Sequence, residues 1–377
     1  MQNKIFLLGS MNVILNNYFY QFLVFIFFLK GDFSLISEIT FLLAPLIFLK
    51  ESFSSNKRTL LLSDKKNSLF KVYFRERVLY ATFILIIYLL SIKFFNLDKN
   101  KFFFILIVIL TILMWINELI ITSYEINNNK KKIVANLILL IILYVFFVCY
   151  IYFPIKNLLY IFSLILIFLT LTHIYKSKMD LFFVYKKINL RKKNNYKFLS
   201  TISINLANLI WRIFFFIFLE KQYSGILFSV FAIMSFPSTL YSNTIGMKLE
   251  TLNKKNIFKI FLIAYYSIAI LVMYYIFVYK IIPLNDPTFS NFSITTGLFS
   301  LLGSLIMIFA ISKRIKIINY KKINRNFLFR TDIMYSTANI LCLVIVYIFL
   351  GSYFFSILFF ISSICSLIYY INHKRLN

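Results

Sequence analysis

Charged side chains are scarce in this chain, and acidic ones are the scarcest. Only 14% of the 377 residues are charged, with 13 acidic against 41 basic residues, while 61% are hydrophobic. Soluble globular domains carry about 25% charged residues. The composition therefore excludes an ordinary soluble protein, and apolar runs of about 20 residues indicate helices that cross a membrane.

Residues for redox, metal or nucleophilic chemistry are few as well. The three cysteines, Cys149, Cys342 and Cys365, lie in apolar runs without the spacing of a disulfide framework or a metal site. The sequence has no phosphate-binding glycine loop, no H-E-x-x-H motif and no nucleophile elbow. The longest loop on the predicted outer side has about ten residues, which leaves little for catalysis there. We therefore expect neither an enzyme nor a bound cofactor.

What the sequence does contain is continuous apolar runs, which favour α-helices over the alternating strands of a membrane barrel. The first run is too long for a signal peptide and lacks a small-residue cleavage site, so we expect it to remain as a span. The predicted fold class is an all-α polytopic membrane protein with about 12 transmembrane helices. The predicted spans are 5–29, 33–49, 78–95, 102–123, 133–153, 157–174, 198–219, 223–246, 257–280, 291–311, 333–350 and 353–371.

Basic residues concentrate in alternate connections. One set of loops, with the two termini, holds 33 of the 41 Lys and Arg residues, and the opposite set holds seven. The positive-inside rule places the richer set, and both termini, in the cytoplasm. The net charge of +28 is therefore explained by topology, with contact to anionic lipid as a secondary gain and no nucleic-acid partner expected.

The spans divide six and six around a basic loop. We predict an N-terminal six-helix lobe at 1–175, a basic cytoplasmic linker at 176–197 and a C-terminal six-helix lobe at 198–377. At an offset of 190 residues, FIFFL followed by FS aligns with FFIFL followed by YS. Repeats with an even number of spans share one orientation, so the lobes are expected to surround a central cavity that holds the substrate.

Arg212 is the one basic residue set deep inside an apolar run. Arginine at mid-membrane costs roughly 2.5–3.5 kcal/mol on insertion, and the apolar residues of the same helix outweigh that cost. Three polar residues share its helical face, since the spacings are 4, 3 and 4 residues: Thr201, Asn205 and Asn208. Lipid does not hydrate such a face, so we expect it to turn toward protein or a watery cavity.

In that cavity Arg212 would bind an anionic group such as a phosphate; the alternative is a structural ion pair with an acid on a neighbouring helix. In the first helix, Asn17 and Gln21 lie within one residue of the positions that match Asn208 and Arg212. We therefore expect them to line the same cavity.

Two acidic residues lie within predicted spans. Glu38 is either the partner of Arg212 or a carboxylate that takes up a proton or cation to drive transport. Glu118 lies near the cytoplasmic end of its span and is a second candidate for coupling.

Three stretches carry a resemblance to a known family. They are LIWRIFFFIFLEKQYSGILFSVFAIMSFPSTLYSNTIG, its first-half counterpart FFLKGDFSLISEITFLLAPLIFLKESFSSNKR, and the ending TANILCLVIVYIFLGSYFFSILFFISSICSLIYY. Together they resemble polysaccharide (O-antigen type) flippases of the multidrug/oligosaccharidyl-lipid/polysaccharide exporter superfamily. The resemblance implies alternating access in the bacterial inner membrane and a polyprenyl-diphosphate-linked oligosaccharide as substrate. Membrane lipids, a polysaccharide polymerase and assembly proteins are the partners it implies.

A major-facilitator-type transporter of a small solute is the alternative, since it shares twelve spans, two halves and a long central loop. The loop ESFSSNKRTLLLSDKK lacks the G-x-x-x-D-R-x-G-R-like pattern of that family. A membrane polysaccharide polymerase ranks third because the outer loops are short.

Overall fold

The computed structural model describes residues 2–54, 61, 67–94, 101–152, 195–240, 266–271, 274, 287–319 and 325–371. Within these ranges the backbone is helical and contains no strand. The main helices are α1 (Gln2–Asn17), α2 (Phe19–Lys30), α3 (Phe33–Ser54), α4 (Asn67–Phe94), α5 (Lys101–Ile126), α6 (Lys130–Tyr152), α7 (Asn195–Phe218), α8 (Lys221–Leu240), α9 (Pro287–Asn319), α10 (Arg325–Ile345) and α11 (Leu358–Ile371). A π-helical turn, Val346–Leu350, continues α10, and a 3-10 segment, Ser352–Ile357, leads into α11.

Length and composition identify candidate membrane spans among these helices. Seven helices in the described part are long and apolar enough to cross a bilayer, and the bent pair α1–α2 makes an eighth if it is one span. The prediction of an all-α membrane protein is thereby confirmed in its coarse form, while the number of twelve stays a prediction. The predicted span 157–174 lies outside the described residues, as do most of the span 257–280 and of the linker 176–197.

The first predicted span, 5–29, is not one straight helix. Met11–Asn17 and Phe19–Lys30 meet at an angle of 61° at Tyr18. The last carbonyls of a helix have no N–H donor in the following turn, so a helix that ends in apolar surroundings needs other donors for them. Here the carbonyl of Leu15 accepts a hydrogen bond from the Tyr144 hydroxyl, and that of Asn16 accepts one from Lys50 Nζ at 3.1 Å. Tertiary contacts thus support the bend.

Contacts group the chain into two compact units. The N-terminal unit comprises Met1–Phe22 and Leu49–Arg191, and the C-terminal unit comprises Leu23–Phe48 and Lys192–Asn377. The predicted lobes, 1–175 and 198–377, remain a prediction. The contacts differ from that division in one respect, because they place Leu23–Phe48 with the second half of the chain.

Within the C-terminal unit, the two segments that align at an offset of 190 residues meet each other. Ser37 of α3 and Ser224 of α8 share a buried hydrogen bond of 2.6 Å between their hydroxyls. Gly225 permits the approach, because a Cβ at that position would lie only 1.9 Å from the Phe33 carbonyl oxygen. Pro45 lies inside α3, and the helix runs without interruption from Phe33 to Ser54 around it.

Four helices of the same unit are joined at Asp332, which is fully buried. Arg314 of α9 donates to both carboxylate oxygens, from Nε at 3.2 Å and from Nη2 at 2.8 Å. Ser200 of α7 and Tyr370 of α11 also donate to this carboxylate. One acid on α10 therefore ties α7, α9 and α11 together, and its charge is balanced by Arg314.

Candidate functional site

The four residues of the predicted polar face lie on α7, and they differ in how far each side chain is exposed. Asn205 is buried at 7% exposure, Thr201 and Arg212 are partly exposed, and Asn208 is exposed. Among the candidate spans of the described part, α7 has the smallest share of its apolar window buried by protein, 22%. The four polar residues therefore lie on a helix that protein covers only in part.

Ring contacts fix which way α7 is turned. On one side, Trp211 donates from its indole nitrogen to the Asn339 carbonyl of α10 at 3.3 Å. On another side, Phe216 stacks on Phe41 of α3, with ring centroids 4.0 Å apart. Residues four apart share a helical face, so Arg212 lies on the face of α7 that borders α3.

Glu38 has a partner at the first residue of α8, Lys221. Its Oε1 lies 2.6 Å from Lys221 Nζ, and the two side chains are 17% and 54% exposed, respectively. The prediction left two roles open for Glu38, pairing with Arg212 or coupling to an ion. The structure gives the carboxylate an exposed lysine as a partner, and both predicted roles of Glu38 stay predictions.

The remaining predicted residues belong to the N-terminal unit. Asn17 ends α1 just before the bend, and Gln21 lies one turn into α2. The Gln21 Oε1 atom is buried and has no hydrogen-bond partner in the described part of the chain. The structure therefore brings Thr201, Asn205, Asn208 and Arg212 together on one helix, whereas Asn17, Gln21 and Glu118 belong to the other unit.

Glu118, which was predicted near the cytoplasmic end of its span, is buried by protein. It is 4% exposed and accepts a hydrogen bond at 2.9 Å from Arg77 Nη1. The same Nη1 donates to the Trp115 carbonyl, and the guanidinium carbon lies 5.6 Å from the centre of the Trp115 ring. Glu118 is therefore one half of a buried ion pair.

Arg77 is a buried cation that the predicted spans do not include. It is fully buried, and its Nε and Nη2 atoms have no hydrogen-bond partner among the described residues. The predicted third span, 78–95, begins one residue after Arg77. In fact α4 begins at Asn67, so Arg77 lies in its third turn. The sequence does hold a signal for this pair: Arg77 and Glu118 have opposite charges and lie on consecutive helices, α4 and α5.

Buried asparagines continue the same polar network. Asn117 and Asn136 donate to each other's amide oxygens at 3.2 Å, and Asn117 also donates to Asn16 at 3.3 Å. Asn16 in turn donates to the Asn12 carbonyl at 2.8 Å, and Asn12 donates to that of Ile133 at 3.0 Å. These amide hydrogen bonds join α1, α5 and α6, and they satisfy both polar atoms of the Asn16, Asn117 and Asn136 side chains. The Asn12 Oδ1 atom is buried and has no hydrogen-bond partner among the described residues.

Lys50 completes the network from α3. Only 7% of the residue is exposed, and its ammonium donates to the Asn16 carbonyl at the bend. The charged groups that act on it electrostatically are Glu118, Glu51 and Arg77. The N-terminal unit thus contains a buried polar cluster, defined here as Lys50, Arg77, Glu118, Asn16, Asn117 and Asn136.

Comparison with protein-family models, with curated proteins and with solved structures finds no match for this chain. Function is therefore inferred from the two sites themselves. They are the partly exposed cationic face of α7 and the buried polar cluster of the N-terminal unit.

Proposed function

We propose that this protein is a flippase, which moves a polyprenyl-diphosphate-linked oligosaccharide across the bacterial inner membrane. The observation that carries the proposal is the position of Arg212, which lies within the apolar part of α7 and is yet partly exposed, with three polar side chains on its face. Such a face suits a ligand with an anionic group and a polar, sugar-like portion.

The physical reason is the cost of a guanidinium in hydrocarbon. An arginine at the centre of a spanning helix costs roughly 2.5–3.5 kcal/mol even after snorkelling, so spans keep one only where water, a counter-charge or a ligand compensates. A diphosphate offers oxygens that a planar guanidinium binds in a bidentate manner. Amide and hydroxyl side chains such as Asn205, Asn208 and Thr201 suit sugar hydroxyls, since they both donate and accept.

The architecture of this transporter follows from the same proposal. Two six-helix lobes surround a cavity, both termini lie in the cytoplasm, and alternating access carries the headgroup from the inner to the outer leaflet without chemical change. Asn17 and Gln21 contribute polar groups from the first span. The positive-inside asymmetry and the partial covering of α7 support these assignments.

An accumulation assay tests the proposal. The protein is depleted in cells that make a surface polysaccharide, and lipid-linked oligosaccharide is measured on each leaflet of the inner membrane. We expect the lipid-linked oligosaccharide to build up on the cytoplasmic leaflet. Plasmid-borne wild-type protein should clear it, as should Arg330→Ala, which removes an exposed arginine of the same unit.

The competing function gives a different result. A small-solute transporter leaves the distribution of lipid-linked oligosaccharide between leaflets unchanged when it is depleted. Unchanged leaflet distribution would therefore overturn the proposed function.

A further inference from the structure

We infer that Lys50 is a proton-binding site, whose ammonium loses and regains a proton while the first span changes its bend. The inference rests on the buried polar cluster of the N-terminal unit, which Arg212 does not belong to. Its role in transport rests on the proposed function, whereas the proton site itself does not.

Charge counting is the first step. Lys50 and Arg77 bring two positive charges into the cluster, and Glu118 brings one negative charge, which Arg77 binds directly at 2.9 Å. Glu51 also acts on Lys50, but it is exposed, because neighbouring residues of a helix point about 100° apart. Glu125 lies seven residues beyond Glu118, roughly 10 Å further along α5. Among the described residues, one buried positive charge of the cluster is therefore left without a carboxylate of its own.

The second step identifies the group that can adjust. A guanidinium keeps its proton in proteins, so the charge of Arg77 is fixed. A lysine ammonium is a compact ion that can give up a proton: the N–H bond breaks, the electron pair stays on nitrogen and the proton passes to water. Neutral Lys50 keeps one N–H for the Asn16 carbonyl, so the hydrogen bond survives while the excess charge disappears.

The third step links the proton to movement. Lys50 donates to a carbonyl that the 61° bend at Tyr18 leaves free, so its strength as a donor bears on the bend. A charged donor forms a hydrogen bond roughly twice as strong as a neutral one. Protonation of Lys50 therefore favours the bent first span, and loss of the proton weakens the contact that holds it. A site with this property can couple a proton gradient to a conformational change.

The fluorescence of a native tryptophan can report the protonation of Lys50. It contains two tryptophans, and Trp115 lies beside Arg77 in the cluster. In a Trp211→Phe background, Trp115 is the sole indole. Its fluorescence is titrated in lipid nanodiscs from about pH 5 to 11, a range that spans the ordinary titration of lysine. No substrate is needed.

We expect one fluorescence step in the Trp211→Phe protein and the complete loss of that step in Lys50→Arg/Trp211→Phe. Arginine keeps the positive charge and a donor for Asn16, so the fold is preserved, but it does not titrate. Lys131→Arg, which changes an exposed lysine of the same unit, should retain the step. A step that persists in the Lys50→Arg protein, or no step at all in Trp211→Phe, would overturn the proton site.

A second readout keeps this inference separate from the proposed function. If the chain translocates lipid-linked oligosaccharide, Lys50→Arg should abolish its acceleration by a proton gradient while leaving slower, gradient-independent movement. Loss of the fluorescence step without any translocation by the wild-type protein would retain the proton site and refute the flippase. Gradient-dependent translocation at the wild-type rate by Lys50→Arg would overturn the coupling role.

Discussion

The guanidinium of Arg77 and the carboxylate of Glu118 face each other at 2.9 Å, and their side chains are 0% and 5% exposed. They lie 41 residues apart in sequence, on α4 and α5. This ion pair belongs to the buried polar cluster of the N-terminal unit. Removing one partner strands the other charge in an apolar interior.

We therefore predict that Glu118→Ala lowers the free energy of unfolding by about 3–5 kcal/mol, the usual cost of breaking a buried pair. Thermal unfolding of the purified protein in detergent checks this. Arg77→Met added to Glu118→Leu should recover much of the loss, because neither member of the pair then remains as a buried charge without its partner. Glu38→Gln is the matched control: its pair is partly exposed, so the expected cost is below about 1 kcal/mol. Equal unfolding midpoints for Glu118→Ala and wild type would contradict the pair.

The contact of α3 with α8 predicts a specific cross-link. In a background with Cys149, Cys342 and Cys365 replaced by alanine, Ser37→Cys/Ser224→Cys should form a disulfide under mild oxidation, since the two hydroxyls are 2.6 Å apart. Ser37→Cys/Ser229→Cys should not, because residue 229 lies about 7.5 Å further along the helix and on another face. The disulfide is detected by a shift in gel mobility after cleavage of an engineered protease site between the halves. A cross-link in the control pair alone would refute the register of these helices.

Gly225, in the contact of α8 with α3, should tolerate an added methyl group less well than Gly303, in the contact of α9 with α11. Gly225→Ala places a Cβ 1.9 Å from a backbone oxygen of Phe33, which has no rotamer to change. Overpacking of this kind costs about 1–3 kcal/mol. In Gly303→Ala the nearest atom is Phe359 Cδ1 at 2.8 Å, and a side chain yields more easily. Unfolding midpoints should therefore fall further for Gly225→Ala than for Gly303→Ala, and the opposite order would contradict the close approach.

Asp332 joins four helices, so its charge should matter to the C-terminal unit. Asp332→Asn retains the shape but removes the counter-charge of Arg314. Because Arg314 is 24% exposed, we expect a loss of about 2–3 kcal/mol, below that of a fully buried pair. Ser200→Ala removes one neutral donor and should cost about 1 kcal/mol. Chemical unfolding of both variants distinguishes these losses, and a neutral Asp332→Asn would show that the cluster adds no stability.

Local composition was sufficient to predict the class of the fold. Continuous apolar runs around Leu199–Phe218 or Phe103–Ile126 admit no other reading than a spanning helix, and the structure has helices there. The spacing of Asn205, Asn208 and Arg212 likewise determines their common face, because helical geometry is local. What depends on one helix alone was predictable.

Features that depend on contacts between two helices were not predictable from the sequence. Arg77 follows Arg75 and Glu76, so a hydropathy window treats it as loop, and only its burial against α5 reveals its role. The ion pair of Glu38 with Lys221, the first residue of α8, joins residues 183 apart in sequence, and no spacing rule predicts it. The bend at Tyr18 has no proline or glycine beside it in the sequence. It is supported instead by hydrogen bonds to its carbonyls from Lys50 of α3 and Tyr144 of α6. Partners distant in sequence decide each of these cases.

The central claim is that Arg212 binds the diphosphate of a lipid-linked oligosaccharide. It is tested most directly with purified protein in sealed vesicles that contain a fluorescent polyprenyl-diphosphate-linked oligosaccharide, by the fraction that becomes accessible to an external quencher. We predict translocation by wild type and by Arg330→Ala, and at least a tenfold slower rate for Arg212→Ala inserted to the same level. Translocation by Arg212→Ala at the wild-type rate would contradict the claim.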